Sequence, residues 1–294
     1  MTDRRRLRAN EHVAHESLKG QIESDCFVKG EERQVGVATL PIFSHHVSNP
    51  DAARDRELIM GDRFVVLEED ERCAFGFAEK DGYVGYVGSH ALAVPEPLTH
   101  MVIAPRSYRK FTPGLKSTSR SFHLPFGARL VVTDENDGWS EVVLHRSDKR
   151  PQGHLFYVPS VHLAPLPVKF PDPVGVADKF LGTPYLWGGN SSFGIDCSGL
   201  VQAACLACGM PCPGDSDMQE AELGHHLPED APLERGDLLF WKGHVAWVAD
   251  PDTLIHANAF HMAVAYEPLQ DAVKRIEAQG DGPVTARKRL GGPT

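Results

Sequence analysis

Cys197 stands between Asp196 and Ser198 in the stretch TPYLWGGNSSFGIDCSGL, which runs from Thr183 to Leu200. A glycine-rich loop gives way there to an apolar run, so the thiol falls where a helix should begin. Unpaired backbone N–H groups and the helix dipole favour a thiolate at such a position. The adjacent Asp196 carboxylate opposes it, so a nucleophilic thiol here needs a partner to take its proton. Histidine is the side chain that does this near neutral pH and later returns the proton to a leaving amine. His244 and His256 lie downstream. The other reading of a lone cysteine is a small buried hydrophobe, but a core helix does not need an approach such as GGNSSFG. The pattern points to a hydrolase with a cysteine nucleophile.

The histidines must be held by neighbouring elements. His244 lies in KGHVAWVAD, whose alternation places His244, Ala246 and Val248 on one face of a strand. His256 lies in TLIHANA, beyond a turn at Asp250-Pro251. Two such strands bring both rings to one end of a sheet, where His256 can fix the tautomer of His244 as a third triad member does. GDLLFWKG reads as a further strand. SGLVQAACLACG reads as the helix behind the thiol, closed by Gly209 and Pro211. VGVADKFLG reads as a helix with Val174, Ala177, Phe180 and Leu181 at helical spacing, stopped by Gly182. EPLQDAVKRIEAQG reads as an amphipathic helix. The last dozen residues, basic and glycine-rich, read as a tail.

The first half of the chain is different. Residues 1–30 are polar and mixed, an arm expected to pack on other parts. VGVATLPIF, DRFVVLEED, CAFGFAE and GYVGYVG then follow as strands punctuated by Gly61-Asp62 and Asp81-Gly82. MVIAP, ARLVVTDENDGWSEVVLH and GHLFYVPSVHL repeat the same order, which predicts a duplicated small β-barrel of about 65 residues. Pro165, Pro167, Pro171 and Pro173 predict a stiff linker after it. The domain expectation is 1–97 for arm and first barrel, 98–167 for the second barrel, and 168–294 for an α+β domain carrying Cys197.

Composition bounds the partners. A chain of 294 residues, 41% hydrophobic, supports two or three domains with real cores. A net charge of −10 argues against nucleic acid, which needs a basic surface. No apolar run approaches the roughly 20 residues of a membrane span, so no membrane partner is expected. The N-terminal MTDRRRLRAN begins basic without an apolar core after it, which does not read as a secretory signal, and the expectation is a cytoplasmic protein with free thiols. Cys205 and Cys208 form C-x-x-C, with Cys212, His225 and His226 following, and a zinc site is the competing chemistry. There is no second C-x-x-C, and CLAC sits inside an apolar helix. A redox role would need a helix N-terminus in a βαβ context. These thiols are therefore expected to be structural, with no metal and no cofactor.

The residues PYLWGGNSSFGIDCSGLVQ, RGDLLFWKGHVAWVAD and LIHANA resemble the NlpC family of cell-wall cysteine peptidases. The glycine-then-strand pattern of GDRFVVLEED and GARLVVTDEND, with the closing GYVGYV and HLFYVP, resembles tandem bacterial SH3-like domains. Cys73 stands where such domains often carry a Trp, as Trp139 does in the second repeat. Together they imply two small SH3-like β-barrels followed by an α+β papain-like cysteine peptidase domain. The resemblance implies Cys197 as nucleophile, His244 as base, His256 as orienting residue and Tyr185 near the oxyanion. It further resembles the γ-D-glutamyl-L-diamino acid endopeptidases, whose substrates are short peptidoglycan peptides such as L-Ala-γ-D-Glu-diamino acid with a free N-terminal amine. By that likeness Asp196 and Ser198 hold the amine and are less helix-start residues than substrate readers. Tyr83 and Trp187 join the substrate-binding set, with an acidic residue from the first barrel, Glu57 or Asp55. A core aromatic is the other reading of Tyr83. Relatives commonly carry Arg before Asp-Ser after the Cys helix, where this chain has Gly214 in PGDSDMQ. The non-enzymatic alternative is an inert muropeptide-binding sensor or scaffold.

Overall fold

Strand alternation organises the N-terminal part of the molecule. The computed structural model describes residues 3–144 and 152–291, in two compact units, Met1–Val168 and Lys169–Thr294. The arm forms a short parallel pair, β1 (Ala14–His15) with β2 (Phe27–Val28). A seven-stranded sheet follows: β3 (Glu31–Val35), β4 (Thr39–Phe43), β5 (Arg54–Ile59), β6 (Arg63–Glu69), β7 (Cys73–Ala78), β8 (Val84–Gly88) and β9 (Leu92–Ala93). A second sheet comprises β10 (His100–Val102), β11 (Arg106–Lys110), β12 (Ser121–Pro125), β13 (Arg129–Asn136), β14 (Trp139–Leu144), β15 (His154–Pro159) and β16 (Leu163–Pro165).

Their orders, β5-β4-β8-β7-β6-β3-β9 and β12-β11-β15-β14-β13-β10-β16, correspond strand for strand. The repetition extends to detail. Each sheet carries a bulge in its β6–β7 or β13–β14 pair, between Val66 and Glu68 or Val132 and Asp134. Cys73 and Trp139 open the equivalent strands β7 and β14. All of β7 is buried, because both of its faces are covered. Ala74 and Ala78 enter the core with Leu58, Phe64 and Val87, while Phe75 and Phe77 pack with Val13 of the arm. Arg8 of the arm lies over the Phe77 ring. Met60, in the turn after β5, packs into the core of the second sheet with Val102, Leu124 and Leu130. Its carbonyl accepts from the Arg129 amide at 3.0 Å.

The C-terminal unit holds α1 (Pro173–Asp178), β17 (Asn190–Ser191), β18 (Gly194–Ile195), α2 (Cys197–Ala207), α3 (Ser216–Glu222) and β19 (His225–His226). Then come β20 (Asp237–Trp241), β21 (His244–Asp250), β22 (Thr253–Asn258), β23 (Ala263–Pro268), α4 (Leu269–Gln279) and β24 (Ala286–Arg289). One antiparallel sheet runs β19-β24-β20-β21-β22-β23. Helices α1 and α2 pack on β21 and β22. Leu269, Ala272 and Ile276 of α4 join Ala246, Val248 and Leu254 in a core cluster.

Two expectations are corrected. The proline run is not all linker. Pro165 ends the edge strand β16, and Pro173 is the first residue of α1. Those are positions where a residue without an N–H costs no hydrogen bond. The last dozen residues are not simply a tail, since β24 lies between β19 and β20 inside the sheet. The inward residue Lys288 hid this strand from the hydrophobic pattern. It is buried, and its Nζ donates to the Leu223 carbonyl at 3.0 Å.

Candidate active site

Cys197 is the first residue of α2, and Asp196 is its N-cap. The Asp196 carboxylate accepts from the Gly199 amide at 2.6 Å, from the Ser198 hydroxyl at 3.0 Å and, through its other oxygen, from the Gly188 amide at 2.9 Å. It thereby joins the glycine loop to the first turn of the helix. Asp196 is thus fully a helix-start residue, where the expectation was that it is less so: its carboxylate does what an N-cap does, satisfying amides the helix leaves unpaired. The loop comes so close that a Cβ on Gly199 would lie 2.4 Å from the Gly189 carbonyl oxygen. Gln219 of α3 secures the same turn from another side, donating to the carbonyls of Ser198 at 2.9 Å and Pro213 at 3.0 Å. A third contact reaches the carbonyl of buried Gly214 at 3.4 Å. The segment that lacks the common Arg is thus held by a glutamine amide.

His244 opens β21, beside Trp241 at the end of the neighbouring strand. The Cys197 Sγ lies 4.0 Å from the carbonyl oxygen of Gly243, the residue before the histidine. His244 Nε2 is 2.9 Å from Nδ1 of His256, which is completely buried in β22. His256 Nε2 in turn is 2.9 Å from Glu267 Oε2. Arg275 of α4 clamps that carboxylate in both directions, Nε to Oε1 at 2.8 Å and Nη2 to Oε2 at 2.7 Å. Register explains the placement. His256 pairs with Ala265 and Leu254 with Glu267, so Glu267 is the diagonal neighbour of His256 across a small residue.

The electrostatics follow from burial and these contacts. Burial, with the neighbouring His256 ring adding to it, pushes the His244 pKa down to about 3. Burial also lowers the pKa of His256, against the pull of Glu267. Both rings are neutral at pH 7. Burial alone would raise the Glu267 pKa, but the hydrogen bonds from Arg275 and His256 outweigh it and hold the carboxyl at about 2. Tyr185 bridges to Ile195 beside α2, and its amide donates to the Met262 carbonyl at 2.9 Å. Burial first, then the charges of Cys197 and Asp196, keep its phenol far above the usual range. It remains an O–H donor near the sulfur. The arrangement offers a thiol, a neutral imidazole base, a backed second imidazole and a phenol, the parts that acyl transfer through a thioester requires.

Residues 182–276 match the NlpC/P60 family, and residues 47–92 match the bacterial dipeptidyl-peptidase SH3 domain. The chain carries an NlpC/P60 domain. Among its relatives, dipeptidyl-peptidase 6 of Lysinibacillus sphaericus is 39% identical over 85 residues, 29% of this chain and 31% of that one. A gamma-D-glutamyl-L-lysine dipeptidyl-peptidase of Bacillus cereus is 28% identical over 209 residues, 65% of this chain and 61% of its own. The chain thus spans 31% and 61% of the length of these two relatives. The crystal structure of an NlpC/P60 family protein from Bacillus cereus superposes with a TM-score of 0.70 at 18% identity, covering 88% of this chain and 99% of that one. An NlpC/P60 endopeptidase from Photobacterium damselae gives 0.60 at 15% identity, covering 90% and 74%. These two likenesses are of fold.

The NlpC/P60 domain brings Cys197, Asp196, Ser198, Tyr185, His244 and His256 together. Trp187 lies in the same glycine loop and is 68% exposed. Tyr83 and Glu57 belong to the N-terminal unit. Tyr83 is buried in the first sheet's core beside Leu40, Phe64 and Val87, and Glu57 is buried in β5, paired with Arg54. Cys205, Cys208 and Cys212 are buried free thiols, whereas His225 and His226 are exposed on β19. Sequence reading missed Glu267, Arg275 and Gln219. A buried acid at an alternate position of AVAYEP, eight residues before an arginine on a helix, was the available signal for the first two.

Proposed function

We propose that the protein is a cysteine peptidase that hydrolyses the γ-D-Glu–diamino acid bond of short peptidoglycan peptides with a free N-terminal L-Ala. The observation that carries this is the thiol at the start of α2 beside the His244 strand, with His244 hydrogen-bonded to a buried, carboxylate-backed His256. The name of the Bacillus cereus relative, a gamma-D-glutamyl-L-lysine dipeptidyl-peptidase, supports the bond type. The helix bearing the thiol packs on an antiparallel sheet, in keeping with a papain-like fold, and the repeated seven-stranded sheets are read as tandem SH3-like domains.

In the reaction the Cys197 proton passes to His244 as the sulfur attacks the γ-carbonyl carbon. The oxyanion takes a hydrogen bond from the Tyr185 phenol. His244 then gives its proton to the leaving amine of the diamino acid, the C–N bond breaks, and a thioester remains. His244 next takes a proton from water, whose oxygen attacks the thioester, and the L-Ala-γ-D-Glu dipeptide leaves as Cys197 regains a proton. Asp196 and Ser198 border the sulfur and supply negative charge and a hydroxyl for the substrate amine. Trp187, exposed in the glycine loop, completes the substrate-binding set of this domain in this reading.

Purified protein incubated with L-Ala-γ-D-Glu-diaminopimelate, or its L-Lys counterpart, is expected to release L-Ala-γ-D-Glu by mass spectrometry. Cys197→Ala is expected to abolish release, and full activity in that variant would overturn the mechanism. Equal cleavage of the N-acetylated peptide would overturn the amine requirement.

A further inference from the structure

Behind the paired histidines lies a charged pair that the reaction described above does not use. Glu267 of β23 and Arg275 of α4 are joined by two parallel hydrogen bonds, and Glu267 Oε2 also faces His256. An ionised carboxylate accepts and cannot donate. His256 Nε2, 2.9 Å away, must therefore carry a hydrogen. A neutral imidazole has one N–H, so His256 Nδ1 is an acceptor. His244 Nε2, 2.9 Å from it, must then carry the hydrogen of its own ring. His244 Nδ1 is left bare.

We infer that Glu267, clamped by Arg275, is a positioning residue that sets the tautomers of both histidines so that Nδ1 of His244 is the atom that accepts the Cys197 proton. The inference rests on the proposed cysteine chemistry and deepens it. When the S–H bond of Cys197 breaks, the proton bonds to His244 Nδ1, the electron pair stays on sulfur, and the ring becomes a cation. The two hydrogen bonds to Glu267 then point negative charge along the line of rings and favour that cation. Arg275 has a second effect. It keeps Glu267 a weak base, so the proton stays on the first ring and is available to the leaving amine. An acceptor placed one residue further back than in a His–carboxylate pair is the same tautomer device.

The groups around the pair belong to several elements. Cys197 and Asp196 lie at the α2 end, with Tyr185 from the preceding loop. Glu267 comes from β23, Arg275 from α4, and His261 from the loop after β22. Lys242 and Asp281 line a cleft of about 230 Å³ with His244 and Arg275.

The decisive variant is Glu267→Leu. It removes the acceptor that holds the hydrogen on His256 Nε2, so His256 takes either tautomer and His244 Nδ1 is bare in only part of the molecules. Three readouts follow. Nitrogen-15 spectra of the folded variant show both rings as mixtures of tautomers, where wild type shows one. Alkylation of Cys197 by iodoacetamide, followed at its own peptide by mass spectrometry, slows by about 10- to 100-fold at pH 7, and its half-rise moves to higher pH. With substrate, kcat falls by a similar factor while KM is unchanged, because Glu267 does not touch the peptide. Wild-type tautomers and a wild-type alkylation profile in folded Glu267→Leu would overturn the inference. If that variant fails to fold, Arg275→Lys keeps the cation but not the fork, and it must show slowed alkylation of Cys197. An unchanged rate there would equally overturn it. The spectra and alkylation use no substrate, so wild-type protein that fails to cleave the peptide would overturn the proposed function while leaving these readouts to judge the relay.

Discussion

His244 is held neutral, and that has a thermodynamic consequence. Its pKa is about 3 in the folded protein, against 6.5 as the ordinary value that the unfolded chain approaches. Between those values the unfolded chain binds a proton that the folded protein does not. Stability therefore falls as pH drops from about 6.5 toward 3. Glu267, held at about 2 against an ordinary 4.5, contributes stability present above 4.5 and lost as pH falls toward 2. Both act in the same sense. Urea unfolding at a series of pH values is expected to show midpoints declining from pH 6.5 downward, with a shallower decline in His244→Asn, which does not titrate. A flat midpoint from pH 6.5 to 4 in wild type would contradict this. Tyr185 acts on the reaction instead. Tyr185→Phe is expected to lower kcat roughly 10²- to 10³-fold with stability little changed, as loss of one oxyanion donor does.

The elements hold these side chains through a few close approaches. The first turn of α2 sits against the glycine loop, with Asp196 bonding both, and the 2.4 Å clearance at Gly199 leaves no room for a methyl group. The obstacle is a backbone carbonyl, which cannot rotate away. Gly199→Ala is expected to cost about 1–3 kcal/mol in urea denaturation, and to lower activity by displacing the turn that carries Cys197. Much at this scale was legible in the sequence. Alternation marked β20, β21 and β22, and the switch from GGNSSFG to an apolar run marked the start of α2. The capping role of Asp196 was read less well, because a carboxylate beside a thiol suits an N-cap and an ammonium site alike, and the N-cap shows only once the Gly188 and Gly199 amides are in place.

At the scale of the whole molecule, each unit closes its own core. In the C-terminal unit that closure depends on the last residues. Strand β24 pairs with β20 and β19, and Arg289 donates to both oxygens of buried Asp237 at 2.7 and 2.8 Å. Ending the chain after Thr285 exposes the edge of β20 and leaves Asp237 without that partner. The truncated protein is expected to lose its cooperative thermal transition or to aggregate, as seen by calorimetry and light scattering, whereas truncation after Gly291 is expected to leave the transition in place.

The sequence by itself determined which local structures form and where reactive groups fall within them. The thiol at a helix start, the histidines on alternating strands and the doubled strand order depend on spacings of two to four residues, and such spacings are properties of the chain. The tertiary structure decided which groups face one another. Glu267 reaches His256 through the register of β22 with β23, Arg275 reaches Glu267 because α4 folds back on that sheet, and Lys288 is buried because β24 inserts beside β20. Those pairings follow from packing between distant segments, where one charged residue looks much like another until its partner is in place.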